Sequence, residues 1–254
     1  MRELDGVLVA YSGGVDSTLV AAAAKEAGVR FLAVFWDSPL AKAGQKRRAI
    51  EVAELLGFEI EVLKDRELSD PAILSNPPER CYHCRRHLMA ALKATAARNG
   101  MRHIAHGVNL SDTQDFRPGI RASQEAGAVA PLAECGIDGP TARSIAKHLR
   151  LPNADDPSEA CLASRIPFGR PITQEALQTV ETCEDFLEER GFPGSRVRHH
   201  GEIARIELRS AAEMRKITGS LRQEVADFFS EHGFRYVTLD LAGYRTGSFN
   251  PCDP

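Results

Sequence analysis

Six residues near the N-terminus combine small side chains, hydroxyl groups and a carboxylate in the run Ser12-Gly13-Gly14-Val15-Asp16-Ser17. Gly13 and Gly14 allow the backbone to approach an anion closely, and a helix beginning near Ser17 would point free N–H groups at a phosphate. The hydroxyls of Ser12 and Ser17 add donors, and Asp16 could help to hold Mg²⁺. The Gly-Lys-Ser/Thr ending of a Walker loop is absent. The spacing predicts a phosphate site; a glycine turn with a serine cap is the alternative.

A second group of reactive side chains is the pair Cys81 and Cys84, which lies in the run Arg80-Cys81-Tyr82-His83-Cys84. A position at the start of a helix, close to arginine, favours the thiolate form of both residues. The pair suits half of a zinc site, a redox couple, part of an iron–sulfur site or two structural cysteines. No second CxxC is present to complete a four-cysteine zinc site.

Cys161 lies in an irregular stretch that runs from residue 157 to residue 169. An isolated cysteine is usually a small buried apolar residue. Arg165 lies four positions further along and could lower the pKa of the thiol, which would make Cys161 a nucleophile. Cys135, Cys183 and Cys252 are interpreted as incidental.

The composition of the whole chain limits its function. Its 254 residues carry a net charge of −3, so it lacks the basic field with which proteins usually bind a phosphate backbone, and a nucleic-acid partner is not expected. No apolar run is long enough to cross a bilayer and the N-terminus does not resemble a signal peptide, so a cytoplasmic protein with no membrane partner is predicted.

The elements around these residues alternate between strand and helix in the first part of the chain. Strands are predicted at 5–10, 29–36, 59–63 and 103–108, and helices at 17–27, 41–56 and 84–99, followed by a loop-rich stretch at 109–140. This order predicts an α/β fold, with a parallel sheet and helices on both faces. A boundary near residue 167 would separate a smaller α+β domain with helices at 174–190 and 211–232 and strands at 196–200, 203–208 and 236–241.

The first of these motifs resembles the SGGxDS loop of the PP-loop ATP pyrophosphatases, the superfamily that contains GMP synthetase, NAD synthetase and tRNA thiolation enzymes. This resemblance implies ATP cleavage with release of pyrophosphate and transient adenylation of a carboxylate or carbonyl oxygen. Several motifs together are similar to the LarE family, the ATP-dependent sulfur transferases that mature the nickel-pincer nucleotide cofactor of lactate racemase. The motifs lie at 12–17, 80–84, 115–119, 161–165, 196–199, 204–207 and 239–244.

The LarE resemblance implies that ATP adenylates a carboxylate of pyridinium-3,5-biscarboxylic acid mononucleotide, with Asp16, Cys161 and Arg165 as catalytic residues. In one version of the family a cysteine thiolate, here Cys161, attacks the adenylate, and cleavage of its Cβ–S bond leaves dehydroalanine and a thiocarboxylate. In a second version three cysteines, here Cys81, Cys84 and Cys161, hold a [4Fe-4S] cluster whose open iron carries the sulfide. The sequence permits both versions.

The resemblance also implies binding roles for basic residues. Arg196, Arg198 and His199 would bind the phosphate and second carboxylate of the nucleotide, although a solvated strand face is the alternative. Arg117 and Arg121 would neutralise charge on ATP, unless they are ordinary surface residues. In domain terms, residues 1–167 form the PP-loop domain and 168–254 a substrate-binding or oligomerisation domain. The acidic residues Glu184 and Asp185 are predicted to lie on a solvated helix face; since such groups meet at subunit interfaces in the family, a homo-oligomer is expected.

Three other functions are consistent with the phosphate loop. A tRNA-thiolating enzyme would normally carry a basic surface or an RNA-binding domain, and neither is visible. An amidotransfer-type synthetase needs an ammonia source, and no glutaminase segment is recognisable. A nucleotide sensor would bind ATP or AMP without releasing pyrophosphate.

Overall fold

The computed structural model describes residues 5–65, 70–114, 117–157, 159–245 and 249. Contacts divide the chain into two compact units. The first unit comprises Met1–Ile73 and Glu79–Glu159, and the second comprises Leu74–Pro78 and Ala160–Pro254. The predicted boundary near residue 167 lies a few residues further along the chain. Among the described residues, no helix combines the length and apolarity that crossing a bilayer requires.

The described residues form seven strands and ten α-helices. The strands are β1 (Val7–Ala10), β2 (Phe31–Asp37), β3 (Ile60–Lys64), β4 (His103–His106), β5 (Arg196–His199), β6 (Ile203–Glu207) and β7 (Tyr236–Leu239). The helices are α1 (Val15–Glu26), α2 (Ala43–Leu56), α3 (Pro71–Leu74), α4 (Arg80–Arg98), α5 (Pro118–Glu125), α6 (Pro131–Glu134), α7 (Gly139–His148), α8 (Gln174–Glu189), α9 (Ala211–Thr218) and α10 (Arg222–Glu231). Two 3₁₀ turns, Ser111–Gln114 and Leu162–Arg165, complete the set.

The first unit is built on a four-stranded parallel sheet in the order β3-β2-β1-β4. Its central strand β1 reads Val-Leu-Val-Ala and is almost wholly buried, as expected for a strand covered on both faces. Ala10 pairs with Val34 of β2 and with His106 of β4, so the carboxyl ends of the three strands meet at one edge. This confirms the predicted α/β fold and places the glycine loop at the edge where such sheets bind ligands.

The second unit contains a smaller sheet in the order β5-β6-β7, antiparallel between β5 and β6 and parallel between β6 and β7. One face packs on an aromatic core that includes Phe192, Phe229 and Phe234. This second sheet confirms the predicted α+β character of the C-terminal part.

Several predicted elements differ from the structure. Helix α4 begins at Arg80, not at residue 84, so both cysteines of the CxxC pair lie in its first two turns. The stretch 109–140 contains α5 and α6, each with proline at its first position, a start signal that the loop interpretation overlooked. The single helix predicted over 211–232 is two helices, because α9 ends at Thr218 with Gly219 as its C-cap.

Candidate active site

The glycine loop lies between the end of β1 and the start of α1. Ser17 organises it: its hydroxyl donates to the carbonyl of Gly14 (3.0 Å), accepts the N–H of Ser12 (3.2 Å) and lies 3.1 Å from the Ser12 hydroxyl. Gly14 is the N-cap of α1, and no side chain caps this helix. The loop is therefore ordered by its own hydroxyls, while the positive end of α1 is left for an anion.

Two glycines in this region cannot be replaced without moving the backbone. Gly13 adopts a φ of +78°, and a Cβ built on it would lie 2.8 Å from the Cα of Ala49 in α2. Gly107, which follows β4, packs against the start of α1, and its Cβ would lie 2.6 Å from the backbone nitrogen of Ser17. Sequence reasoning identified Gly13 but missed Gly107, whose requirement arises only from the neighbouring helix.

Asp16 faces a second carboxylate, that of Asp112. Burial raises the pKa of Asp16, the negative charge of Asp112 acts in the same direction, and a hydrogen bond from the Asn109 amide (3.3 Å) opposes the rise. Arg117 pairs with Asp112 at 2.8 Å, so this predicted ATP-binding residue does lie near the loop. Asp115 and Phe116, which belong to the same motif, are outside the described residues.

Arg121, the other arginine predicted to bind ATP, is engaged elsewhere. Its guanidinium lies 3.3 Å from Glu79, 3.7 Å from Glu125 and 4.3 Å from the centre of the Tyr82 ring. The Tyr82 hydroxyl in turn donates to Glu125 at 2.7 Å. These contacts join α4 to α5 at the surface, and the structure does not bring Arg121 to the glycine loop.

The CxxC pair lies in a cationic part of the first unit. The buried Arg80 donates to the Cys81 sulfur at 3.6 Å, and both cysteines are partly exposed. Arg85 is the next residue on α4; burial lowers its pKa, while the charges of the two thiols oppose that change. Both sulfurs therefore lie close to arginine side chains.

In the second unit, Cys161 precedes the 3₁₀ turn Leu162–Arg165 and is partly exposed. The turn is fixed by Arg165, whose Nη1 donates to the carbonyls of Ala160 (2.8 Å) and Cys161 (3.0 Å) and to the Ser164 hydroxyl (2.9 Å). The remaining donors, Nε and Nη2, form a bidentate pair with Glu184 at 2.8 and 2.9 Å. Arg165 therefore holds the backbone around Cys161 in place.

The burial of Glu184 differs from the prediction. The sequence predicted a solvated helix face, yet Glu184 and Arg165 are each only 1% exposed. The same Glu184 carboxylate also accepts the N–H of Val197 in β5 at 3.1 Å. One buried carboxylate thus ties the cysteine turn to the strand that carries the predicted substrate-binding residues. Asp185, its neighbour, is exposed as expected.

Arg196 and Arg198 point to the same side of β5, because side chains two positions apart share a face of a strand. Both are buried, which excludes the solvated face that was the alternative. Arg198 donates to Glu207 (2.6 Å) and to the Ser164 carbonyl (2.9 Å), and its Nε has no partner among the described residues. Burial lowers the pKa of Arg196. A buried guanidinium face with a spare donor suits a carboxylate or phosphate.

His199 does not share that face. It alternates with Arg198 along β5, and its ring lies 5.2 Å from the ring of Phe234 in the core. Burial lowers the pKa of His199, so the imidazole is neutral at pH 7. The structure therefore does not group His199 with the two arginines.

Among the described residues, no three or more His, Cys, Asp or Glu side chains are arranged to hold a metal ion. Cys81 and Cys84 belong to the first unit and Cys161 to the second. The three-cysteine cluster site stays a prediction. Asp16 and Asp112 fit Mg²⁺ better, because this ion is commonly held by one or two carboxylates together with substrate phosphates.

Several known proteins are similar to this chain over most of its length. No family model matches it. An uncharacterized protein of Synechocystis sp. is 39% identical over 249 residues, which cover 98% of this chain and 93% of that protein. The pyridinium-3,5-bisthiocarboxylic acid mononucleotide synthase of Lactiplantibacillus plantarum is 35% identical, over 98% of this chain and 91% of the synthase. A glutamine-hydrolysing GMP synthase of Thermus thermophilus is 28% identical over 207 residues, which cover 72% of this chain and 40% of that enzyme.

The partial match to GMP synthase agrees with the parallel sheet and glycine loop, and the fold is that of the PP-loop superfamily. The match to the bisthiocarboxylic acid mononucleotide synthase spans both units, including the cysteine turn and the arginine strand. On the strength of that similarity, the chain belongs to the LarE family.

Proposed function

We propose that the protein is an ATP-dependent sulfurtransferase that adenylates a carboxylate of pyridinium-3,5-biscarboxylic acid mononucleotide and converts it to a thiocarboxylate. The observation that carries the proposal is the pre-ordered, lysine-free glycine loop at the edge of a parallel sheet, in a chain similar to the L. plantarum synthase over 98% of its length. The loop supports ATP binding. The similarity to the synthase supports the dicarboxylic nucleotide as the substrate and the transfer of sulfur to it.

Three features support the adenylation step. The open N-terminus of α1 and the hydroxyls of Ser12 and Ser17 suit the phosphates that leave as pyrophosphate. Asp16 and Asp112 would hold Mg²⁺, which when bound supplies positive charge against the departing pyrophosphate. Arg117 adds a cation beside them. A carboxylate oxygen of the substrate then attacks the α-phosphorus, the bond between the α and β phosphates breaks, and the acid becomes an acyl adenylate.

The second unit supports the sulfur step. The Cys161 carbonyl is held by Arg165 and by the Ser164 hydroxyl (2.8 Å), which fixes the backbone that carries the thiol. The buried face of Arg196 and Arg198 would hold the nucleotide phosphate and the second carboxylate.

In the proposed transfer Cys161 is the nucleophile, and the step uses groups of the chain itself. The thiolate attacks the acyl carbon, a thioester forms and AMP leaves with the bonding electrons. Removal of the Cα proton then expels the thiocarboxylate and breaks the Cβ–S bond, so residue 161 becomes dehydroalanine. In this version each protein chain transfers one sulfur atom, because the Cys161 side chain is consumed.

The proposal is tested by two variants that should separate the half-reactions. Asp16→Asn should abolish the release of pyrophosphate, because metal placement is weakened. Cys161→Ala should still release pyrophosphate when given the dicarboxylic nucleotide, yet form no thiocarboxylate.

Intact protein mass and anaerobic absorbance recorded on wild type before and after turnover identify the sulfur source. Loss of the mass of H₂S indicates the side chain, and broad brown absorbance with unchanged mass indicates a cluster.

Three outcomes would contradict the proposal. Formation of ADP in place of AMP would exclude adenylation. Thiocarboxylate made by Cys161→Ala at the wild-type rate would remove that residue from the chemistry. ATP binding without any pyrophosphate release in the presence of the acid would favour a nucleotide sensor.

A further inference from the structure

Asn153 is a buried amide that contacts the glycine loop from far along the sequence. Its Nδ2 donates to the carbonyl of Gly13 at 2.7 Å and to the hydroxyl of Thr18 at 2.9 Å. The side chain is 0% exposed, and the two bonds span 140 and 135 residues of sequence. Because a carbonyl oxygen can only accept, the nitrogen of the amide must face Gly13. The orientation of Asn153 is therefore determined by its partners.

The two bonds continue into a longer chain of buried hydrogen bonds. The Thr18 hydroxyl accepts from Asn153 and bonds to the Tyr11 hydroxyl, which donates to the carbonyl of Ala49 at 3.3 Å. Ala49 is also the residue against which Gly13 packs without room for a Cβ. Every hydroxyl in this chain donates one hydrogen bond and accepts another. Asn153 thus holds the carbonyl of Gly13, and the Cα of Gly13 lies against Ala49.

The other end of the amide shows that packing alone does not explain this residue. The Oδ1 of Asn153 is buried and has no hydrogen-bond partner within the described part of the chain. A buried polar atom without a partner destabilises the folded protein, and an apolar residue of similar size would avoid that loss. The two hydrogen bonds that Nδ2 donates to Gly13 and Thr18 therefore offset this loss of stability.

The segment around Asn153 is anchored independently of the loop. Arg143 donates to the carbonyls of Ala154 (2.7 Å) and Asp156 (2.9 Å), and Arg48 pairs with the Asp156 carboxylate at 2.9 and 3.2 Å. Asn153 consequently approaches Gly13 from a fixed backbone. The position of Asn153 is therefore set by this anchored segment and not by the glycine loop.

We propose that Asn153 is a positioning residue for the ATP triphosphate, and that it sets ATP affinity by fixing the Gly13 peptide. The C=O of Gly13 and the N–H of Gly14 point in opposite directions within one peptide plane, so holding the carbonyl by Nδ2 also fixes the direction of that N–H. The Gly14 N–H donates to the Ser12 hydroxyl at 3.3 Å, so Asn153 helps to position one of the hydroxyls that the glycine loop offers to a phosphate. This inference rests on the proposed function, since the ligand is the ATP that the glycine loop is proposed to bind.

The test compares Asn153→Ala with Tyr11→Phe, which removes a buried hydrogen bond from the far end of the same chain without touching Gly13. ATP is titrated into each purified protein by calorimetry, and the apo melting temperature is recorded. Asn153→Ala should weaken ATP binding about tenfold or more, the equivalent of one lost hydrogen bond in a preorganised site. Steady-state turnover should show a raised KM for ATP at a little-changed kcat and an unchanged KM for the dicarboxylic nucleotide. Tyr11→Phe should melt at a lower temperature yet bind ATP within about twofold of wild type.

Asn153→Ser serves as the second variant if Asn153→Ala does not fold, because its hydroxyl retains a donor; its ATP affinity should be weakened too, but by less. Equal ATP affinity in wild type and the folded Asn153 variants would overturn the role of Asn153. So would an equal loss of affinity in Tyr11→Phe, since that result indicates general loosening of the unit. A wild-type protein that does not bind ATP would instead overturn the proposed function.

Discussion

The proposed anion sites of the two units are built by opposite means. In the first unit the glycine loop offers neutral donors, which are backbone N–H groups and the hydroxyls of Ser12 and Ser17, while the Asn153 amide holds the Gly13 carbonyl in place. In the second unit the corresponding surface consists of buried guanidiniums, whose charges are largely balanced by Glu184 and Glu207. A neutral site depends on the orientation of its dipoles, whereas a charged site depends on keeping every buried charge paired.

This difference separates the ways in which the units should fail. Damage to a neutral site weakens the ligand contact, because the backbone around it still has its own hydrogen bonds. Damage to a buried ion pair leaves an uncompensated charge inside the protein, which destabilises the fold itself. Ligand affinity should therefore be the sensitive measurement for the first unit and the free energy of unfolding for the second.

The largest effect is expected for Glu184→Gln. This change keeps the volume but leaves the 1%-exposed Arg165 without its counter-charge and weakens the bond to the Val197 N–H. Breaking a buried pair on one side typically costs about 3–5 kcal/mol, so the free energy of unfolding of the second unit should fall by that order. Chemical denaturation followed by circular dichroism measures it.

Glu188→Gln, on an exposed position of the same helix, is the matched control and should change stability little. A loss for Glu184→Gln no larger than for this control would show that the buried pair is not what the second unit depends on. The comparison between the two units would then fail.

The next effect concerns His106, the buried imidazole at the end of β4. Burial lowers the pKa of His106 from 6.5 to about 4, and the charge of Arg85 acts in the same direction. Because the folded state binds the proton less well than the unfolded chain, its stability should be fully present above pH 6.5 and fall as the pH drops towards about 4. Between pH 7 and pH 5 this single group should remove about 2 kcal/mol of stability.

His106→Asn should reduce this acid sensitivity, since the amide has no proton to bind in this range but can still accept the N–H of Val108, as the imidazole Nδ1 does at 3.3 Å. Unfolding free energies of both proteins at pH 7 and pH 5 provide the measurement. His148→Asn, at an exposed site, should keep the wild-type profile. If His106→Asn keeps the wild-type pH dependence, protonation of His106 is not what destabilises the first unit at low pH.

The smallest effect is expected at a helix cap. The Thr173 hydroxyl accepts the N–H of Ala176 (3.1 Å) and caps α8, whereas α1 has no side-chain cap. Thr173→Ala should lower the melting temperature through a loss of about 1 kcal/mol, while ATP affinity stays unchanged. Thr173→Ser retains the hydroxyl and should restore the melting temperature. Altered ATP binding in Thr173→Ala would contradict the separation between the units.

Local patterns predicted the elements well where the signal lies within a few residues. The β1–loop–α1 segment was identified because an apolar run, two glycines and an alanine-rich helix are adjacent in sequence. The helix predicted at 84–99 begins four residues later than α4, which begins at Arg80. The split between α9 and α10 was missed because a glycine inside a helical pattern is compatible with continuation as well as with an end.

Tertiary contacts give several candidate residues partners that the sequence did not indicate. Arg165 was expected to act on the Cys161 thiol, but its guanidinium is occupied by Glu184 and by backbone carbonyls. His199 was grouped with Arg196 and Arg198, although strand alternation places it on the other face. Glu184 was assigned to a solvated face because its neighbours along α8 are charged, and nothing local indicates a partner on β5.

The sequence by itself determined the glycine loop, the alternation of strands and helices, and the positions of the cysteines and basic residues. These features depend on neighbouring residues, whose backbone preferences and hydroxyls act over a few ångströms. The tertiary structure alone decided that Asn153 supports Gly13, that Gly107 must be a glycine and that Glu184 is buried against Arg165. A buried polar group needs a partner, and that partner is chosen by how distant segments pack, not by what lies beside it in the chain.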